Sequence, residues 1–163
     1  FTSGHYTFVG SIHTGRLHAE LHHLACFLPG TMALDGDDMH LGWAKALMTS
    51  CYKMYELSKC GLSPEKVTFV DGVMVMTQPE YHHRPETLES LFVLYRVTGD
   101  PIYKEWAWHI FEALVKHTKT PAGFASLKSV DTTTPEKVDY MESFLLSETF
   151  KYLYLMFSPD NYL

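Results

Sequence analysis

The last apolar run constrains this chain most. From about Lys137 to Phe157 it carries Met141, Phe144, Leu145, Leu146, Phe150, Leu153, Leu155 and Met156, so a helix there is apolar nearly all round. Such a helix is buried on most sides, not along a single stripe. A chain of 163 residues builds one hydrophobic core and rarely two. The run is therefore expected to belong to a body larger than the sequence itself. Phe1 stands where an initiator methionine would, and Leu163 follows the apolar run closely, so both ends are expected to be cut.

The remaining pattern is helical, with loops between. Gly15 to Phe27 has Leu17, Leu21 and Leu24 at helical spacing and predicts a helix that Pro29 and Gly30 interrupt. The acidic run Asp35, Gly36, Asp37 and Asp38 opens a second helix, with Leu41, Ala44, Met48, Cys51 and Tyr55 on one face and Gly61 at its end. A third begins at Pro85 and carries Leu88, Leu91, Phe92 and Tyr95 as far as Thr98 and Gly99. Asp100 reads as the N-cap of a fourth and Pro101 as its first residue, with Tyr103, Trp106, Ile110, Phe111 and Leu114 on its apolar face. Thr120 to Gly123 breaks that helix, and a loop reaches Pro135. Tyr6 to Gly10 is short and β-prone. The expected fold class is all-α with a short N-terminal β-like segment, in one domain over residues 1–163. No repeat marks a solenoid.

Charge and composition exclude several functions. A net charge of −6 without a basic stripe argues against nucleic acid, whose binding needs clustered Lys and Arg. No stretch approaches the roughly 18–20 apolar residues of a membrane span. The ten histidines form no HExxH or paired CxxC spacing, so zinc is not indicated. Cys26, Cys51 and Cys60 read equally well as three small buried apolar residues or as a disulfide with one cysteine over.

Several acids stand awkwardly for a purely structural chain. Glu142 and Glu148 fall inside the apolar last run, where they read by themselves as a narrow polar stripe meeting solvent or a basic partner. Arg84 just before Pro85 puts a cation at a helix N-terminus, against the helix dipole, so a carboxylate or ligand oxygen should hold its guanidinium. Glu86 in the first turn is favoured in its ionised form, as a general base requires. Glu89 shares its face. Glu65 adds a loop acid, and Phe144 offers an aromatic ring one turn before Glu148. Acids with an aromatic platform suit a carbohydrate.

At these residues the chain resembles glycoside hydrolase family 47, the class I α-1,2-mannosidases. The matching stretches are His23 to Leu34, Gly61 to Glu65, Arg84 to Phe92, Tyr95 to Pro101, Met141 to Phe144 and Glu148 to Leu155, in the family's order. The resemblance implies part of an (α/α)7 barrel, roughly its C-terminal half, and inverting hydrolysis of terminal α-1,2-linked mannose from high-mannose N-glycans on glycoproteins. By motif, Glu86 is the base-side catalytic carboxylate and Glu65 another catalytic acid. Arg84, Phe144 and Glu148 would contact the sugar, with His23 near that pocket. The implied cofactor is Ca2+, anchored through waters by Glu65, Glu86, Glu89 and Glu148, a set that suits a hard cation.

The same resemblance pairs Cys26 with Cys51 in a disulfide, leaves Cys60 free, and implies the lumen of the secretory pathway, endoplasmic reticulum or Golgi, with any membrane anchor outside these residues. It places one catalytic acid and an Asp before Phe1 and the directly ligating Thr beyond Leu163, so this chain alone is expected to be inactive. Asp35 stands where the family usually has Gly, and Phe124 with Ala125 where it usually has Tyr and Ser. Two alternatives differ in what the acids do. One is a mannosidase-like lectin or degradation factor binding misfolded glycoproteins, which the cysteine pair disfavours. The other is a noncatalytic helical scaffold, whose mark would be an apolar surface groove with Glu65, Glu86 and Glu148 dispersed.

Overall fold

A computed structural model describes residues 1–159 and Asn161. The chain begins with two small hairpins, β1 (Thr2–Ser3) with β2 (Tyr6–Thr7) and β3 (Ser11–His13) with β4 (Arg16–His18). The β-prone Tyr6 and Thr7 thus form a strand. The helix expected over Gly15 to Phe27 does not form: β4 is followed by β5 (Glu20–His22) and a 3-10 turn, His23–Phe27. The helical spacing there was misleading, because Leu21 is buried while Leu17 is 45% and Leu24 52% exposed. Leu21 instead stands opposite Val67 in an antiparallel sheet.

A small sheet adds to the helices that the sequence leads one to expect. It has three strands in the order β5, β6 (Lys66–Val70) and β7 (Val73–Gln78). β6 and β7 are joined by Asp71 and Gly72, both left-handed at φ 50° and 80°, the dihedral signs that a two-residue hairpin turn of type I′ requires. The fold is helix-rich with a small antiparallel sheet.

The helices otherwise follow the sequence closely. α1 (Leu28–Leu34) leads to α2 (Asp38–Leu57), where the Asp37 carboxylate accepts from the N–H groups of Met39 and His40 at 2.8 and 3.0 Å. Before α3 (Glu86–Thr98), Pro85 is already helical and its carbonyl accepts from Glu89 N–H at 2.9 Å. Gly99, left-handed at φ 70°, ends the helix. Asp100 accepts from Ile102 N–H at 3.0 Å and opens α4 (Ile102–Thr118).

The last run differs from expectation. Lys137 and Val138 form β9, paired with β8 (Ser126–Leu127), so their backbone groups are committed to a strand. Helix begins only at Leu145, with one π-helical turn, Leu145–Thr149, followed by α5 (Phe150–Phe157). Nor is α5 buried on most sides. Leu153 and Met156 enter the core, while Tyr154 is 59% and Phe157 43% exposed. They line a groove of about 390 Å³ with Trp108, Phe111, Phe150 and Leu153.

The core is built where α2, α3 and α4 meet. Ala44, Met48, Cys51 and Tyr55 pack with Leu88, Leu91, Leu94, Tyr103 and Ile110. Cys26 on the 3-10 turn is disulfide-bonded to Cys51 on α2, with Cα atoms 5.8 Å apart. Cys60 is free and buried.

Candidate active site

The 3-10 turn, α1 and α3 are registered by small residues. Gly30 N–H donates to the Ser90 hydroxyl at 3.0 Å, and that hydroxyl donates to the Cys26 carbonyl at 2.5 Å. A Cβ at Gly30 would lie 3.1–3.2 Å from Ser90, tighter than an ordinary contact, so a side chain there would push Ser90 away by a few tenths of an ångström. The contact brings His23, at the start of the turn, against the first turn of α3.

There His23 Nδ1 lies 2.9 Å from Glu86 Oε2. Its Nε2 lies 2.8 Å from the Tyr55 hydroxyl and 3.1 Å from that of Thr87. His23 is 2% exposed. Burial alone would push the Glu86 carboxyl upward. The His23 hydrogen bond and charge, Glu86's own N–H and the Arg84 guanidinium outweigh it and hold the group below its ordinary value. Tyr55 is pushed up, first by burial and further by the charges of Glu86 and Glu65, while a hydrogen bond from Thr87 opposes the rise.

Arg84 finds its carboxylate in Glu65, to which its Nε donates at 2.6 Å. Farther along α3, Glu89 accepts from the Tyr152 hydroxyl on α5. Tyr152 is raised above its ordinary value by burial, by this bond and by the charges of Glu89 and Glu148. Glu148 sits on the π-helical turn, and the adjacent Thr149 donates to the His83 carbonyl at 2.5 Å. The turn is thus tied to the segment that carries Arg84. Wider turns of this kind recur at functional sites because they re-aim a side chain without ending the helix.

These contacts join His23 to Glu86 and Arg84 to Glu65, while Glu89 and Glu148 both act on Tyr152. Phe144 stands immediately before the π-helical turn, partly buried, one turn from Glu148. Glu65 and Glu86 both raise the Tyr55 hydroxyl above its ordinary value. Among the described residues, no group of three or more His, Cys, Asp or Glu is placed to hold a metal ion directly.

Four polar residues of the site escaped sequence reading. Tyr55 reads as part of a core face, and Thr87, Ser90 and Tyr152 carry no signal of their own. Their partners lie 32 to 64 residues away in the chain. His83 was also missed. It is fully buried, left-handed at φ 57°, and neither ring nitrogen finds a hydrogen-bond partner of normal geometry. Burial pushes its pKa down to about 4, against a partial offset from the Ala125 backbone.

Comparison with known proteins gives one consistent result. The family model described as glycosyl hydrolase family 47 matches residues 1–163. The endoplasmic reticulum mannosyl-oligosaccharide 1,2-alpha-mannosidase of Rattus norvegicus is 45% identical over 94% of this chain and 26% of its own length. The enzyme of the same name from Schizosaccharomyces pombe is 38% identical over 98% of this chain and 36% of its own. The solved alpha-1,2-mannosidase from Trichoderma reesei superposes with a TM-score of 0.88 at 29% identity, over 94% of this chain and 36% of that one. The chain thus spans between about a quarter and a third of the relatives it matches.

Proposed function

The chain belongs to glycosyl hydrolase family 47, and from that premise we propose that the protein carrying it removes terminal α-1,2-linked mannose from high-mannose N-glycans with inversion. The relatives it resembles are named as alpha-1,2-mannosidases, two of them as mannosyl-oligosaccharide enzymes. The observation that carries the reading is the Glu86 carboxylate, partly buried, kept ionised and hydrogen-bonded to His23 at 2.9 Å. An ionised carboxylate fixed at one oxygen can take the proton of an attacking water at the other. Inversion needs a second, protonated carboxyl about 6.5–9.5 Å away across the sugar. In this reading that acid comes from outside these residues, and the chain alone, as part of an (α/α)7 barrel, does not turn over substrate.

Arg84 and Glu65 hold each other beside Glu86, which suits them to orient sugar hydroxyls and water. Phe144 supplies an apolar ring for a sugar face, and Glu148 a further acceptor. Glu65, Glu86 and Glu89 each commit one carboxylate oxygen to a protein donor, leaving the other for water. With Glu148 they form an all-oxygen donor set that fits Ca2+ held through waters rather than directly. Bound there, the ion would fix the water and sugar hydroxyls that these carboxylates face.

The Cys26–Cys51 disulfide supports folding in an oxidising compartment, and we place the protein in the lumen of the secretory pathway. No helix among the described residues is long and apolar enough to cross a membrane, so any membrane attachment would come from elsewhere in the protein.

The test is incubation of the full-length protein with a high-mannose glycan, following released sugar by NMR. The expected result is mannose appearing first as the β-anomer, abolished by a chelator and restored by Ca2+. Initial release of the α-anomer overturns the inverting mechanism. Glycan binding with no release favours the lectin alternative.

A further inference from the structure

One buried hydroxyl holds the joint from which His23 reaches Glu86. The 3-10 turn His23–Phe27 runs directly into α1, which has no side-chain cap at its start. The end of one helix and the start of the next leave carbonyl and N–H groups without partners, and in a buried joint water does not supply them. Ser90, fully buried on α3, serves three of these groups with one oxygen. It accepts from Gly30 N–H at 3.0 Å and shares its own proton between the carbonyls of Cys26 at 2.5 Å and Phe27 at 3.1 Å. A serine hydroxyl has one proton and two lone pairs, so little of its capacity is left unused.

The joint lies one turn behind the candidate base on both elements. Ser90 follows Glu86 by four residues on α3, and Cys26 follows His23 by three on the 3-10 turn. Two elements joined at two successive rungs cannot slide past each other without breaking one. The Cys26–Cys51 disulfide ties the same turn to α2.

We infer that Ser90 is a positioning residue: its hydroxyl sets the 3-10 turn against α3 so that His23 meets the Glu86 carboxylate at 2.9 Å. The inference rests on the reading of Glu86 as the base. Without the hydroxyl, the Gly30 N–H and two carbonyls lose their partner, and the turn must shift to find others. His23 moves with it, and the carboxylate loses the contact that fixes one of its oxygens. A misplacement of about 1 Å can cost about 10²-fold in rate even when its cause is remote from the chemistry.

The experiment uses the full-length protein with Ser90→Ala, which removes the hydroxyl, and Gly30→Ala, which keeps it but pushes it aside. An added Cβ at Gly30 stands 3.1 Å from the Ser90 oxygen, while alanine otherwise favours a helix over glycine. Expected for Ser90→Ala are KM within about three-fold of wild type and kcat lower by roughly 10–100-fold. Gly30→Ala should lower kcat in the same sense. The two together should lose less than the product of their single effects, because both act on one joint. Val130→Ala, a truncation in the separate core cluster around Leu62 and Tyr81, is the control and should destabilise the fold without changing kcat. In crystals of the Ser90 variant, His23 Nδ1 should stand more than about 3.5 Å from Glu86 Oε2. Should Ser90→Ala fail to fold, Gly30→Ala decides.

A folded Ser90→Ala with kcat within about two-fold of an active wild type overturns the inference, as does a loss carried by KM alone. An equal fall of kcat in Val130→Ala overturns it too, since the loss is then one of general stability. A wild type with no mannosidase activity overturns the proposed function instead, and the His23–Glu86 distance in the variant still decides the role of Ser90.

Discussion

Arg84 donates its Nε–H to Glu65 over 2.6 Å, so the cation that opposes the dipole of α3 is neutralised by the acid just ahead of β6. Both side chains are mostly buried, at 26% and 14% exposure, which makes the pair more than a screened surface contact. It links the loop after α2 to the start of α3, beside Glu86.

Separating these two charges should be costly. Arg84→Met and Glu65→Gln, combined in a double-mutant cycle read by urea denaturation, are expected to show a coupling of about 1.5–3 kcal/mol. A coupling near zero would reduce the pair to a surface ornament. Arg84→Lys should recover only part of it, because the Nε geometry is lost.

Glu86→Gln in the full-length protein should retain the fold and lower kcat by ~10²–10⁴-fold, since an amide cannot accept the proton of water. Calcium binding measured by calorimetry separates this from a metal effect. Recovery of kcat at saturating Ca2+ would make Glu86 a metal-shell residue and not the base.

Loss of the disulfide should be felt in stability. The bridge spans a sequence separation of 25, for which the chain-entropy account gives about 3.5 kcal/mol. Peptide mapping without reductant should recover the Cys26 and Cys51 peptides linked and Cys60 as a thiol. The Cys26→Ser, Cys51→Ser double variant should unfold at correspondingly lower denaturant.

His83 should give the folded state a pH-dependent cost. Its pKa lies near 4 when folded, against 6.5 for an ordinary histidine, so between those values the unfolded chain binds more protons. Stability is therefore full above pH 6.5 and falls as the pH drops toward 4, by about 3 kcal/mol in all. His83→Asn tolerates the left-handed backbone at φ 57° and does not titrate. Its stability, measured from pH 7 to 4, should lose that part of the slope.

The sequence was most legible where local chemistry decides structure. Asp100 and Pro101 start α4, Gly99 ends α3 and Asp37 caps α2, because caps and breakers act on backbone groups within a few residues. The Asp71–Gly72 hairpin was legible in the same way, as a left-handed turn pair between alternating apolar strands, but was passed over. The expectation that something must hold the Arg84 guanidinium came from one helix dipole and one cap preference, and Glu65 is that partner.

Tertiary structure decided the rest. Leu17, Leu21 and Leu24 keep helical spacing, yet pairing with Val67 drew Leu21 into a sheet, since a strand partner offers hydrogen bonds that spacing alone does not. Lys137 and Val138 were lost to a strand for the same reason. Motifs pointed to the residues proposed to bear the chemistry. Which oxygen of Glu86 is committed, and through which hydroxyls its histidine is oriented, depend on contacts between residues 32 to 64 positions apart. Such contacts are set by how closely Gly30 and Ser90 let two helices approach, and packing at that scale leaves no periodic trace in a sequence.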